Sequence, residues 1–312
     1  MIYRDLGSQG PKVSAVGFGL WAAGSDLWGQ VDEDQVMAAM VEAEGLGVNW
    51  FDTAERYSAG RSEELLGRAL KGRRERSMIF TKVAGLDLDP RRIRQACEAS
   101  LRRLRTDWID LYQIHWYDPD QELERCWEAM ANLVEAQLVR YVGVSNFEVA
   151  QIETCEAIRH VDSVQPQYSM LWRQPEEELL EYCDRAGTGV IGYGPLAYGL
   201  LTGKYGRGAK FGADDWRSGE LGAGFYDSFF APDKFSGHLD VVEQLQPIAR
   251  QAGVTMAQLA IAWVLRRREV SGAICGVKTV GQAAENAQAG SLELSAWWDQ
   301  VDQILNPAGQ GA

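Results

Sequence analysis

Four residues able to share a proton stand where short β-like runs end: Asp52, Tyr57 five positions later, Lys82 and His115. A phenol ordinarily titrates near 10, so a tyrosine that donates near neutrality needs a neighbour stabilising its phenolate. Lys82 is the candidate neighbour, and Asp52 can hold that lysine charged by an opposite-charge contact although burial works against the ammonium. The Asp-Lys-Tyr set reads as a tuned acid, with His115 orienting or polarising an oxygen that it shares with Tyr57. Such a set suits a carbonyl that takes hydride at carbon and a proton at oxygen. Two other chemistries fit the same residues: an aldolase with a Schiff base on Lys82, and a metal-dependent hydrolase. The three histidines (His115, His160, His238) show no metal-ligand spacing, so no metal site is expected; His160 and His238 fall near helix ends as solvated or capping groups.

The elements that position these residues alternate. Runs at 16–19, 48–51, 78–82, 109–115, 139–144, 164–167, 190–193 and 273–276 read as strands, each followed by a helical pattern. Their closing residues Gly19, Asp52, Lys82, His115 and Ser145 recur about every thirty positions, the spacing of βα units in a parallel fold. The expected architecture is α/β: a single (β/α)8 TIM barrel over residues 1–312, with an N-terminal β-hairpin, a long loop after strand 7 and an extra C-terminal helix. The first strand lacks the G-x-G-x-x-G turn of a doubly wound fold. In a barrel, chemistry gathers where the strands end at their C-terminal side. Ser145, Asn146, Gln167 and Tyr193 also close strands, so they should converge with the first four. Helices are expected around 238–251 and 256–268, after a loop over 195–237 whose aromatic content reads as a lid that packs. Trp21, Trp28 and Trp116 follow strand ends and are expected to line a substrate pocket; Trp297 and Trp298 should pack the terminal helix on the barrel.

Composition narrows the partners. With 44 acidic against 31 basic residues the net charge is −13 in 312 residues, a field that repels phosphate backbones and anionic membrane surfaces. Neither a leader-like N-terminus nor a membrane-length apolar run is present in the sequence, so a cytoplasmic protein with no nucleic-acid or membrane partner is expected. The five scattered cysteines read as reduced core thiols. Arg266 to Arg268 read as helix-end cations.

Several segments then combine in one order: Phe51-Asp-Thr-Ala-Glu-Arg-Tyr57, Arg61-Ser-Glu-Glu-Leu-Leu-Gly67, Ile109-Asp-Leu-Tyr-Gln-Ile-His115, Gly143-Val-Ser-Asn-Phe147, Tyr193-Gly-Pro-Leu196 with Gly199-Leu-Leu-Thr-Gly203, and Gly276-Val-Lys-Thr with Glu285-Asn286. In this order the chain resembles the aldo-keto reductase family along almost its whole length, in the bacterial branch similar to voltage-channel β subunits and polyol dehydrogenases. The resemblance implies a catalytic tetrad of Asp52, Tyr57, Lys82 and His115, with Tyr57 as general acid in reduction and base in oxidation. It implies that Ser145, Asn146 and Gln167 hold a nicotinamide carboxamide on which Tyr193 stacks. Leu196, Gly199 and Leu200 fall where a lid covers the pyrophosphate. Gly276, Lys278, Thr279, Gln282, Glu285 and Asn286 match the adenosine-phosphate site. Two positions depart from the family pattern: Gly194 stands where a serine is common, and Gln282 where an arginine often meets the 2′-phosphate. Lys278 remains as a cation there, so NADPH is favoured and NADH is also admitted. The activity implied is reversible reduction of an aldehyde or ketone, sugar- or polyol-related substrates included. A cofactor-binding redox sensor with slow turnover is the alternative.

Overall fold

Hydrophobic strands alternate with amphipathic helices, and the helix starts are written in capping residues. Asp32 accepts the amide N–H groups of Asp34 and Gln35 to open α1 (Glu33–Gly45), and Asp89 does the same for α3 (Pro90–Leu104), whose first position is a proline. Thr255 and Gln258 form a reciprocal box at the start of α9 (Met256–Leu265), and Thr279 caps α10 (Val280–Ala289). In the computed structural model, which describes residues 1–23, 27–84, 88–222 and 225–306, eight parallel strands close into a barrel. They are β3 (Val16–Gly19), β4 (Trp50–Asp52), β5 (Met78–Val83), β6 (Ile109–Ile114), β7 (Val139–Ser145), β8 (Ser163–Gln165), β9 (Gly189–Tyr193) and β10 (Val270–Gly276), with β10 pairing back on β3. The remaining helices on the outside are α2 (Arg61–Ala69), α4 (Leu123–Glu135), α5 (Val149–Glu156), α6 (Leu179–Ala186), α8 (Pro232–Gln251) and α11 (Trp298–Leu305).

The N-terminal hairpin, β1 (Tyr3–Asp5) paired with β2 (Lys12–Ser14), closes the bottom of the barrel. Its Leu6 and Val13 pack with Trp50, Phe80, Leu111, Ile191 and Ile274 in one buried cluster. Gly17 is required by this packing, because a Cβ there would lie 2.2 Å from the Trp50 ring. With the lower end plugged by apolar side chains, the polar residues at the upper strand ends are the ones left to face a ligand.

The structure moves several expected boundaries. Strand β8 ends at Gln165 and so stops two residues before Gln167. Helix α8 begins at Pro232, six residues before His238, which therefore lies within the helix; proline fits the first turn, where its missing N–H is not needed. Helix α9 stops at Leu265, leaving Arg266, Arg267 and Arg268 to pair with Asp302, Glu269 and Asp184. The stretch 195–237 contains 3-10 turns at Ala197–Thr202 and Trp216–Ser218 and the short helix α7 (Tyr226–Phe229); its residues 223–224 lie outside the described ones. Its aromatic residues pack: Trp216 and Phe229 are fully buried and Phe230 nearly so. Trp297 and Trp298 lie half-buried against the core, and all five cysteines are buried thiols. Among the described residues no single helix is long and apolar enough to cross a membrane.

Candidate active site

The upper end of the barrel opens into a cavity of about 530 Å³. Asp52 reaches it from the end of β4, and Tyr57 from a tight turn in which Ser58 and Ala59 both take left-handed backbone angles. Lys82, on β5, lies fully buried behind Asp52, donating to its Oδ1 at 2.6 Å and to the Thr53 carbonyl at 3.0 Å. Its Nζ is 5.3 Å from the centre of the Tyr57 ring. His115 follows β6 and meets Tyr57 edge to face at 5.7 Å, and Trp116 stacks on the imidazole at 6.2 Å. The four residues expected to act together are thus within one set of contacts.

Burial governs their electrostatics. It pushes the Lys82 ammonium down and the Asp52 carboxyl up, and each charge partly offsets the effect on the other. Burial also raises the Tyr57 phenol well above its ordinary value, helped by the Asp52 charge. This corrects the expectation of a phenol drawn downward by Lys82: with the ammonium bonded to Asp52 and Thr53, desolvation outweighs it. His115 is held well below its ordinary value by burial, then by Lys82 and Arg56, so it is a neutral imidazole at physiological pH.

Next to this set, Asn146 adopts a left-handed backbone angle after β7. Its amide donates to Ser145 Oγ at 3.0 Å and to the His115 carbonyl at 3.2 Å, and its Oδ1 accepts the Tyr193 hydroxyl at 2.8 Å. Gln165 also lines the cavity and donates to Asp52 Oδ2 at 3.0 Å. Gln167 does not line it: the residue is buried and sits beyond the end of β8, bridged to Tyr193 through the backbone. Since side chains alternate along extended chain, Gln165 and Gln167 are equivalent in parity, and only the depth of the strand end separates them.

Gly276, Lys278, Gln282, Glu285 and Asn286 also form part of the cavity wall, together with Leu196 and Gly199. Leu200 and Thr279 do not: Leu200 is fully buried, and the Thr279 side chain caps α10. Lys278 donates to the Trp28 carbonyl at 2.7 Å, and its backbone N–H is received by Gln282 at 2.8 Å. Two further cations, Lys204 and Arg217, also line the cavity. Lys204 sits in irregular chain and Arg217 in the 3-10 turn Trp216–Ser218, neither of which carries a periodic signal. Arg217 is held by Asp215 at 2.8 Å and lies 4.7 Å from the Trp28 ring. Around it the two loops lace together: Trp28 bridges Asp215, Gly29 donates to the Asp214 carbonyl, and Trp216 to that of Leu27. Trp21, Trp28 and Trp116 all line the cavity, joined there by Tyr198 and Phe225.

A plugged parallel barrel with a buried Lys-Asp pair, a phenol and a neutral imidazole at its mouth defines an oxidoreductase of carbonyl compounds. The chain belongs to the aldo/keto reductase family, whose model matches residues 15–306. It is 35% identical over 294 residues to the aldo-keto reductase YhdN of Bacillus subtilis, covering 90% of this chain and 86% of that one. Among solved structures it is similar to a glycerol dehydrogenase from Gluconobacter oxydans (30% identity, 99% of this chain and 98% of that one, TM-score 0.87). It is also similar to an aldo/keto reductase from Klebsiella pneumoniae in complex with NADP and acetate (28% identity, 99% and 97%, TM-score 0.76).

Proposed function

We propose that the chain reversibly reduces an aldehyde or ketone to its alcohol, with NADPH as the favoured reductant and NADH also accepted. The observation that carries this reading is the edge-to-face contact of Tyr57 and His115 on one cavity wall, backed by the Lys82-Asp52 pair. The residues present fit a dinucleotide. Amide groups of Asn146 and Gln165 line the cavity, as do Lys204, Arg217 and Lys278, which supply local positive charge against a net charge of −13. Bound NADP in the Klebsiella relative supports the same cofactor class. When bound, a reduced nicotinamide supplies hydride.

In reduction, Tyr57 keeps its proton until negative charge develops on the carbonyl oxygen, then delivers it there. The Lys82 ammonium, kept in place by Asp52, attracts the phenolate left behind. Neutral His115 orients the same oxygen without adding charge. In the reverse direction Tyr57 takes the proton back.

A slow redox sensor is the competing reading, and the loops laced over the cavity favour it to the extent that they retard cofactor exchange. Stopped-flow mixing of the NADPH-loaded protein with short aldehydes separates the two. Repeated turnover with stoichiometric alcohol supports the reductase, and a single slow oxidation of bound NADPH defeats it.

A further inference from the structure

Outside the strands that carry Asp52 and Lys82 lies an ion pair that proton delivery does not consume. Glu63 is fully buried in the first turn of α2. Arg103, next to the last residue of α3, converges on its Oε2 with Nε at 2.7 Å and a terminal nitrogen at 2.6 Å. The other carboxylate oxygen accepts the Thr81 hydroxyl at 2.6 Å, and beside it the hydroxyls of Ser62 and Thr53 meet at 2.7 Å. Thr81 precedes Lys82 on β5, and Thr53 follows Asp52 and offers its carbonyl to Lys82. Because side chains alternate along extended chain, α2 holds from outside the two segments whose inward side chains are the buried Lys-Asp pair.

The same pair underlies the turn that carries Tyr57. Ser58, Ala59 and Gly60 take φ of 46°, 51° and 94° in succession, a left-handed run that side chains rarely adopt. Such strain persists where the surroundings fix it. A Cβ on Gly60 would lie 2.5 Å from Arg103 Cδ and 2.6 Å from its Nε, so the arginine lies directly against the turn. Gly67 admits that approach: a Cβ there would come within 2.7 Å of the Leu104 carbonyl oxygen and 2.8 Å of that of Arg103. Segment 61–67 thus builds one contact between α2, the end of α3 and the Tyr57 turn. Stability alone does not call for charge here, because apolar side chains of similar volume often replace a buried ion pair without loss.

We propose that Glu63 and Arg103 are positioning residues for proton delivery, fixing the turn at 58–60 against β5 so that the Tyr57 hydroxyl keeps one place relative to Lys82 and His115. Neither lines the cavity, and both act through Tyr57. This rests on the carbonyl-reductase reading with Tyr57 as the donor.

The test is the double variant Glu63→Met/Arg103→Met, which removes both charges together, assayed with NADPH and benzaldehyde. Its kcat should fall by at least about tenfold, as a misplaced donor does, with the NADPH dissociation constant within about twofold of the wild type. In a Tyr57→Phe background the same two substitutions should cost less than about twofold, because no hydroxyl is left to position. An unchanged kcat overturns the proposal, as does a loss confined to NADPH affinity. So does an equal fall in kcat in both backgrounds, which would make the pair a general scaffold. Arg103→Lys keeps the charge and gives up the paired contact, and it decides the matter if the double variant does not fold. A fall in kcat of about threefold or more that disappears in Tyr57→Phe supports the proposal, and wild-type kcat overturns it. Variants as active as an active wild type sink this inference and leave the reductase standing. A wild type that turns over neither benzaldehyde nor short aldehydes removes the reductase reading and this inference with it.

Discussion

Gln165 donates to the carboxylate oxygen of Asp52 that Lys82 leaves free, at 3.0 Å, while Lys82 holds the other at 2.6 Å. Because an ionised carboxylate only accepts, this contact orients the Gln165 amide, with its NH₂ toward Asp52 and its oxygen left for other partners. The lysine behind the phenol and the amide in the cavity wall thus depend on one charge.

Removing that charge is the sharpest perturbation of the pair. Asp52→Asn leaves Lys82 buried without its counter-ion, and desolvation then drives the ammonium toward its neutral form. We expect kcat for aldehyde reduction to fall by about a hundredfold, read in steady-state assays. A variant retaining half the wild-type rate would show that the Lys82 charge does not assist Tyr57.

Tyr57→Phe removes the proton donor and leaves the ring against His115. Turnover should drop by roughly a thousandfold or more while NADPH titrated by fluorescence still binds. Most of the wild-type rate surviving would assign the acid elsewhere.

The pH dependence follows from two directions. His115 is depressed well below 6.5, so it is already neutral there and reduction should show no loss or gain centred on its ordinary value. Tyr57 is raised above 10, which keeps the donor protonated and reduction undiminished through alkaline pH. Oxidation needs the phenolate, whose fraction grows about tenfold per pH unit below the pKa. Alcohol oxidation should therefore climb steadily with pH, with no plateau below about 10. A bell centred near neutrality would contradict both assignments.

Lys278→Ala tests a cavity cation. Lys278 lines the cavity and holds the Trp28 carbonyl at 2.7 Å, and its charge is the one expected to meet a 2′-phosphate. NADPH affinity should fall by about tenfold and NADH affinity by less. Equal losses would mean that Lys278 acts only through Trp28.

At the opposite pole, Leu6→Ala opens a void against Trp50 and Phe80 in the hairpin plug. A stability loss of about 3 kcal/mol is expected in denaturant unfolding, with kcat unaffected because the plug faces away from the site. A large fall in kcat would show that the lower core sets the geometry above it.

Residues carried by local rules were readable in the chain. The eight strands, the capped helices and the strand-end positions of Asp52, Lys82 and His115 follow from periodicity, caps and spacing, while the hairpin and the grouping of these three with Tyr57 as a tetrad follow from the resemblance. Gln167, expected at the strand end, and Gln165 point the same way along an extended segment, and the register of β8 against β7, which pairs Gln165 with Ser145, is set by contacts between distant strands. His238 is expected near a helix end, whereas α8 runs from Pro232 straight through Gly237, so that His238 lies inside it.

The amino-acid order thus determined the barrel and the chemical groups at its mouth, because hydrophobic repeat and strand-end position are properties of neighbours in sequence. The fold alone decided that burial raises Tyr57 and neutralises His115, and that Arg217 and Lys204 join the cavity. Desolvation and loop lacing arise only when residues far apart in sequence exclude water together, and no local pattern encodes that.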